Sequence, residues 1–220
     1  FRQALTDGLR EVRGLDDPSG GRYRLFRNAR RFPFAPPGDY AHALRFPGEY
    51  AFYCFVRNPY ARLRSAWQNK FAYGHEQGYS RSIRRRELPR LRRFAARARL
   101  PGGHDGEAIP FTTFLAYVES QPAGTRDHHW DDQHAVLLMD RLRYERCFRM
   151  EGEFIAGLRT IFERLGLSGP AVERALATQK NVSPRSEPPL YDPALAERVR
   201  RLYARDFELF GYAEDSWQGL

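Results

Sequence analysis

Residues 50–71 hold an apolar run that stops on an arginine, Arg57, and continues through Asn58 and Pro59 into a stretch with helical spacing. This pattern reads as a buried strand running straight into a helix. Asn58 suits the helix cap, and Pro59 suits the first turn. Arg57 stands at the junction, and a charged group there needs a partner. A helix N-terminus behind a strand favours anions, and a guanidinium adds a permanently charged fork that fits phosphate. Ser65, about two turns into the helix, offers a hydroxyl to the same anion. The competing reading is an ordinary strand and helix with Arg57 paired to a carboxylate.

The 220 residues, 42% apolar and 14% aromatic, suit one folded domain with a real core and argue against disorder. Net charge is +9, and only Lys70 and Lys180 among the 36 basic residues are lysines. The arginine excess suits anionic ligands. GC-rich coding produces it equally well, which points to a bacterial source. Charge alone does not choose among a nucleotide, an acidic glycan and a nucleic acid. Cys54 and Cys147 lie in apolar, strand-like runs and are expected as buried thiols rather than a disulfide. No apolar run approaches about 20 residues, so no membrane span is expected. No signal peptide is visible, and a chain opening on Phe1 is expected to have lost its beginning.

Along the chain, helical spacing is expected over 1–12, a turn at 16–21, a short strand at 22–27, a proline-rich loop at 32–37 and a small helix at 39–46. Residues 75–108 read as an insertion. Nine arginines between Arg81 and Arg99 face one acid, Glu87, with Pro89 expected to break any helix. This is either a docking surface for an anionic acceptor or nucleic acid, or simply a solvated basic surface. An amphipathic helix is expected over 111–121, a strand over 144–150, and helices over 151–165, 171–177 and 193–209, the last capped by Asp192. Strands alternating with helices imply a single α/β domain with a three-layer parallel sheet flanked by helices.

Three further segments carry chemistry. The loop over 179–191 holds Lys180, Asn181, Ser183 and Arg185, which suit a phosphate or a nucleotide edge, or a solvated polar loop. The segment 127–134 gathers histidines and aspartates, yet it reads as a loop, where a metal-ligand set is not expected. His42 lies just ahead of the central strand. It is either a surface histidine or an imidazole able to take a proton near neutral pH.

Arg57, Asn58, Pro59, Arg62, Leu63, Ser65, Ala66, Trp67, Asn69, Lys70 and Phe71 fall in step with a known motif. Together they closely resemble the 3′-phosphate-binding motif of the carbohydrate sulfotransferases. That resemblance implies that Arg57 and Ser65 hold the 3′-phosphate of 3′-phosphoadenosine 5′-phosphosulfate (PAPS). It implies that Lys180, Asn181, Ser183 and Arg185 lie against the cofactor, and that His42 is the base for an acceptor hydroxyl. His129, Trp130 and Gln133 resemble the family's His-Trp-x-Pro-Gln segment near its cleft, with His129 either a substrate contact or hydrogen-bonded within its own loop. Asp132 replaces the proline, which puts the rigidity of that loop in question. Residues 203–212 resemble the family's C-terminal helix, whose role there is packing.

The implied architecture is that of P-loop kinases, with the first strand missing. The family's Gly/Ser/Thr-rich phosphosulfate loop has no counterpart, since Ser19, Gly20 and Gly21 lack a lysine and a preceding apolar strand. A chain truncated before Phe1 is the expectation. The alternatives are a non-catalytic nucleotide-binding homologue and a basic nucleic-acid-binding module. The resemblance implies a glycan acceptor and no nucleic-acid partner. It places the protein in the cytoplasm if bacterial or the Golgi lumen if eukaryotic, with membrane association left open.

Overall fold

A computed structural model describes residues 45, 46, 48, 51–72, 79–177 and 190–220. The expected elements before residue 45 lie outside this set. In chain order the elements are β1 (Tyr53–Val56), α1 (Pro59–Trp67) with a π-helical turn at Gln68–Ala72, α2 (Tyr79–Ala98), α3 (Phe111–Glu119) and α4 (Gln133–Val136). Then follow β2 (Arg146–Arg149), α5 (Phe154–Arg164), α6 (Pro170–Ala177), α7 (Pro193–Leu202), α8 (Ala204–Phe210) and a 3-10 turn at Ser216–Gly219. The described chain divides into two compact units. One runs up to Val56 and from Leu137 to Ala177, the other from Arg57 to Val136 and from Leu190 to Leu220.

In the first unit β1 and β2 pair in parallel, with Tyr53 opposite Arg146, Cys54 opposite Cys147, Phe55 opposite Phe148 and Val56 opposite Arg149. Main-chain bonds from Glu145 N–H to the Phe52 carbonyl (2.9 Å) and from Met150 N–H to the Val56 carbonyl (2.8 Å) extend the ladder. Among the described residues the sheet has two strands, so the residues form a mixed α/β structure with a small parallel sheet. Phe55 and Phe148 stack with centroids 5.4 Å apart, and α5 crosses directly over them at Gly157. A Cβ at Gly157 would sit 2.6 Å from Phe148 Cγ, so only glycine permits this approach. Leu158, Phe162, Leu167, Val172 and Leu176 complete the core beneath α5 and α6. Both cysteines are free thiols, Cys54 buried and Cys147 half-buried.

In the second unit α1 starts as its sequence dictates. Asn58 Oδ1 accepts from the Tyr60 and Ala61 N–H groups at 2.9 and 3.4 Å, and Pro59 fills the first helical position. The core gathers Tyr60, Leu63, Phe71, Leu91, Phe114 and Trp130 with Val199 and Tyr203. Trp130 meets Phe114 edge-on at 5.5 Å.

Two expectations are corrected here. Pro89 does not break the arginine-rich segment, because α2 runs unbroken for 20 residues through it. A proline in a helix interior costs about 3 kcal/mol, but each fully buried large apolar side chain returns about 1.5–3 kcal/mol. Ile83 and Leu91 are buried on the face they share with Ala95. On the same face the buried Glu87 carboxylate accepts from Tyr117 Oη at 3.0 Å and pairs with Arg86 and Arg90.

The expected helix over 193–209 is two helices, α7 and α8, parted at Tyr203 (φ −119°, ψ 28°). The Tyr203 ring is buried, and its hydroxyl donates to the Trp130 carbonyl at 2.5 Å, so the side chain is anchored where the backbone turns. Asp192 does cap α7, accepting from Leu195 N–H at 2.8 Å. Among the described residues no helix is long and apolar enough to cross a membrane.

Candidate functional site: the Arg57 junction and the 127–134 loop

Arg57 opens the second unit immediately before α1, and its backbone is gripped by one side chain. The Arg57 N–H donates to Gln133 Oε1 at 2.9 Å, while Gln133 Nε2 donates to the Arg57 carbonyl at 2.8 Å. A glutamine amide that satisfies both groups of one residue fixes that residue's position and tilt. Next to it, Asn58 caps α1 with its oxygen and donates from Nδ2 to Ser216 Oγ at 2.8 Å. Arg57 and Ser65 are both half-buried, and Ser65 Oγ accepts from Asn69 Nδ2 at 3.1 Å. A helix start, a half-buried guanidinium and a hydroxyl on the same helix form a donor set suited to a phosphate.

The loop 127–134 supplies Gln133, and it is held from several sides. Arg62 on α1 donates to the carbonyls of Asp131 (2.5 Å) and His128 (2.7 Å). Burial pushes the Arg62 guanidinium down from its ordinary value, yet an arginine stays charged in proteins. Asp132, at the position where the resemblance implies a proline, forms a buried ion pair with Arg126 at 2.9 Å. Arg126 also donates to the Val118 and Gln121 carbonyls at 3.2 and 3.1 Å. The rigidity that a proline would supply is therefore supplied by charge and hydrogen bonding. Trp130 plugs the core from the same loop and donates to Gln121 Oε1 at 3.2 Å.

At the front of the loop, Asp127 Oδ1 accepts from the His129 N–H at 3.0 Å and meets His129 Nδ1 at 2.6 Å, while Arg86 pairs with Oδ2. Burial raises the Asp127 pKa, but hydrogen bonds from the ring and main chain of His129 outweigh it and hold the carboxyl at about 2. An ionised Asp127 only accepts, so the 2.6 Å contact is made by a proton on His129 Nδ1. Burial, followed by the charge of His129, pushes the His128 imidazole down to about 4. The Asp127, His128 and His129 ligand atoms all lie within 4.8 Å of one another, close enough to converge on a cation. Arg86 already neutralises Asp127, and the charges of Arg62 and Arg86 that help depress His128 also oppose a metal ion.

Among the expected site residues, Arg57 and Ser65 share the helix start and body, and His129 lies on the loop that grips Arg57. His42, Lys180, Asn181, Ser183 and Arg185 lie outside the described residues. Sequence reading gave no role in the site to Arg62, Asp127 or Asp206. The first two stood inside recognised segments, Asp127 weighed only as a metal ligand, and their hydrogen-bonding tasks became visible with their partners. Asp206 is a buried acid in the C-terminal helix that looked like packing. It accepts from Gln133 N–H (2.7 Å) and His134 N–H (3.0 Å), and pairs with His134 Nδ1 at 2.8 Å. Lys70 is buried in the π-helical turn, where loss of solvation lowers its pKa against the pull of Asp127.

Comparison with known proteins places these observations. The chain is 27% identical over 183 residues to carbohydrate sulfotransferase 14 of Danio rerio, covering 80% of this chain and 47% of that protein. It is 22% identical over 174 residues to carbohydrate sulfotransferase 11 of Mus musculus, covering 78% and 49%. Against carbohydrate sulfotransferase 12 of Xenopus laevis it is 26% identical over 180 residues, covering 74% and 40%. The chain thus spans about half the length of these relatives or less. No solved structure matches it. The model of the sulfotransferase family matches residues 23–213, nearly the whole chain, and the chain belongs to that family.

Proposed function

We propose that this chain carries the sulfuryl-transfer domain of a carbohydrate sulfotransferase, with PAPS as donor and a glycan hydroxyl as acceptor. The observation that carries the reading is the Arg57 junction. Its capped helix start, its guanidinium on a backbone pinned by Gln133 and the Ser65 hydroxyl suit a doubly charged phosphate. The acceptor class follows from the relatives, which are named as carbohydrate sulfotransferases. The parallel pair β1–β2 is read as part of a three-layer sheet of the P-loop-kinase type.

PAPS, when bound, supplies the sulfuryl group, and 3′-phosphoadenosine 5′-phosphate leaves with the electron pair of the broken S–O bond. Arg57 and Ser65 bind the 3′-phosphate, and Lys180, Asn181, Ser183 and Arg185 line the nucleotide. His129, with its Nδ1 engaged by Asp127, contacts the glycan through Nε2. His42 takes the proton of the attacking hydroxyl. Positioning and charge stabilisation supply most of the acceleration, as in phosphoryl transfer.

Calorimetric titration with 3′,5′-ADP (3′-phosphoadenosine 5′-phosphate) and with 5′-AMP tests the anchor. The 3′-phosphate is expected to tighten binding at least about tenfold, the worth of one charge-assisted contact. Arg57→Ala is expected to erase that difference. Equal affinity of the wild-type chain for the two nucleotides would overturn the reading.

A further inference from the structure

The Gln133 side chain spends its hydrogen-bonding capacity on the backbone of a single residue, and that residue is Arg57. Gln133 is itself buried, 6% exposed, so the pairing is shielded from water. The turn that carries it is clamped from one short stretch of the C-terminal region. Tyr203 Oη donates to the Trp130 carbonyl at 2.5 Å. Three residues on, the fully buried Asp206 carboxylate accepts from the Gln133 N–H at 2.7 Å and the His134 N–H at 3.0 Å. Tyr203 and Asp206 thus hold the two ends of the segment 130–134, and that segment holds Arg57.

From this geometry we infer that Gln133, fixed by Asp206, is a positioning residue for the cofactor anchor: it sets where the Arg57 guanidinium points and so how tightly the chain distinguishes a 3′-phosphorylated nucleotide. This rests on the reading of Arg57 as the 3′-phosphate ligand. The physical reason is leverage. A guanidinium binds phosphate well only when its planar fork is aligned, and a small tilt of the backbone moves the end of a long side chain much further. Gln133 touches no reacting atom. It acts through the main chain of Arg57, and Asp206 acts through the main chain of Gln133.

The test reads the ratio of the 5′-AMP dissociation constant to that of 3′,5′-ADP, measured calorimetrically on the full chain. A purely structural role would weaken both nucleotides together, leaving the ratio unmoved. For Gln133→Ala the ratio is expected to fall about tenfold, with 5′-AMP affinity kept within about twofold. Asp206→Asn, which keeps one carbonyl acceptor, is expected to give a smaller fall. In an Arg57→Ala background Gln133→Ala should change the ratio no further, because the group it positions is gone. Should Gln133→Ala fail to fold, Gln133→Glu carries the test. It keeps the volume and the acceptor for Arg57 N–H, loses the donor to the Arg57 carbonyl, and should lower the ratio likewise. A folded Gln133 variant with an unchanged ratio, or with both nucleotides weakened equally, overturns the inference and leaves the Arg57 reading standing. A wild-type ratio of one overturns the Arg57 reading and this inference with it.

Discussion

His128 and Asp132 show how the 127–134 loop depends on protons and charge. The His128 ring sits in the folded chain with its pKa lowered from 6.5 to about 4, burial being the first cause. Between those values the unfolded chain binds a proton that the folded chain refuses. The stability that this group contributes is therefore complete above pH 6.5 and is lost as the pH falls toward 4. Asp127 follows the carboxylate sign. Its contribution is present above 3.8 and is lost as the pH falls through about 2. Denaturant midpoints measured from pH 7 to 4 should fall for the wild type and fall less for His128→Asn; parallel curves would remove His128 as the cause. Asp132 is the partner of a guanidinium buried to 6% exposure, and both sit within one turn of the core tryptophan. Asp132→Ala leaves Arg126 charged and unpaired, which costs about 3–5 kcal/mol. Urea unfolding that shows less than about 1 kcal/mol lost would mean that water replaces the pair.

At the scale of elements, α2 carries the clearest consequence. Its Pro89 is exposed and sits mid-helix, where it removes one main-chain hydrogen bond and crowds the carbonyl four residues earlier. Pro89→Ala is expected to stabilise the chain by about 1–3 kcal/mol, seen as a higher melting temperature. A lower one would show that the proline does not strain the helix. The same helix marks what local reading misses. Nine arginines between residues 81 and 99 hide an apolar row at Ile83, Leu91 and Ala95 whose burial outweighs the proline. By contrast α1 was legible, because its start is written in adjacent residues: Asn58 caps it and Pro59 opens it. The strands at residues 53–56 and 146–149 were legible for the same reason, in short apolar and aromatic runs. The break at Tyr203 was not, since its cause is a carbonyl 73 positions away. Gln133 could be picked out as part of a familiar segment, but its task could not, because its partner lies 76 positions earlier. Asp206 carried no signal at all, being one acid in a helix whose apolar face suggested packing alone.

At the scale of the molecule, net charge and ligand charge act together. A chain at +9 that binds a phosphorylated nucleotide should bind it less tightly as ions screen the attraction, with a Debye length near 10 Å at 0.1 M and about 3 Å at 1 M. Calorimetric titrations from 50 mM to 1 M sodium chloride should show 3′,5′-ADP weakening by about tenfold or more, and 5′-AMP, which lacks the second phosphate, by less. Equal salt dependence for the two would argue that the 3′-phosphate meets no guanidinium.

The facing cysteines of β1 and β2 give the molecule a built-in reporter. Cys54 is 3% exposed, and its hydrogen bond with Cys147 together with burial pushes its thiol well above the ordinary range, so it is unreactive while the strands stay paired. Both cysteines of the chain belong to the first unit, and the second has none. The rate at which an alkylating reagent captures Cys54 therefore reports the opening of the β1–β2 pair. That opening can be timed without adding a label.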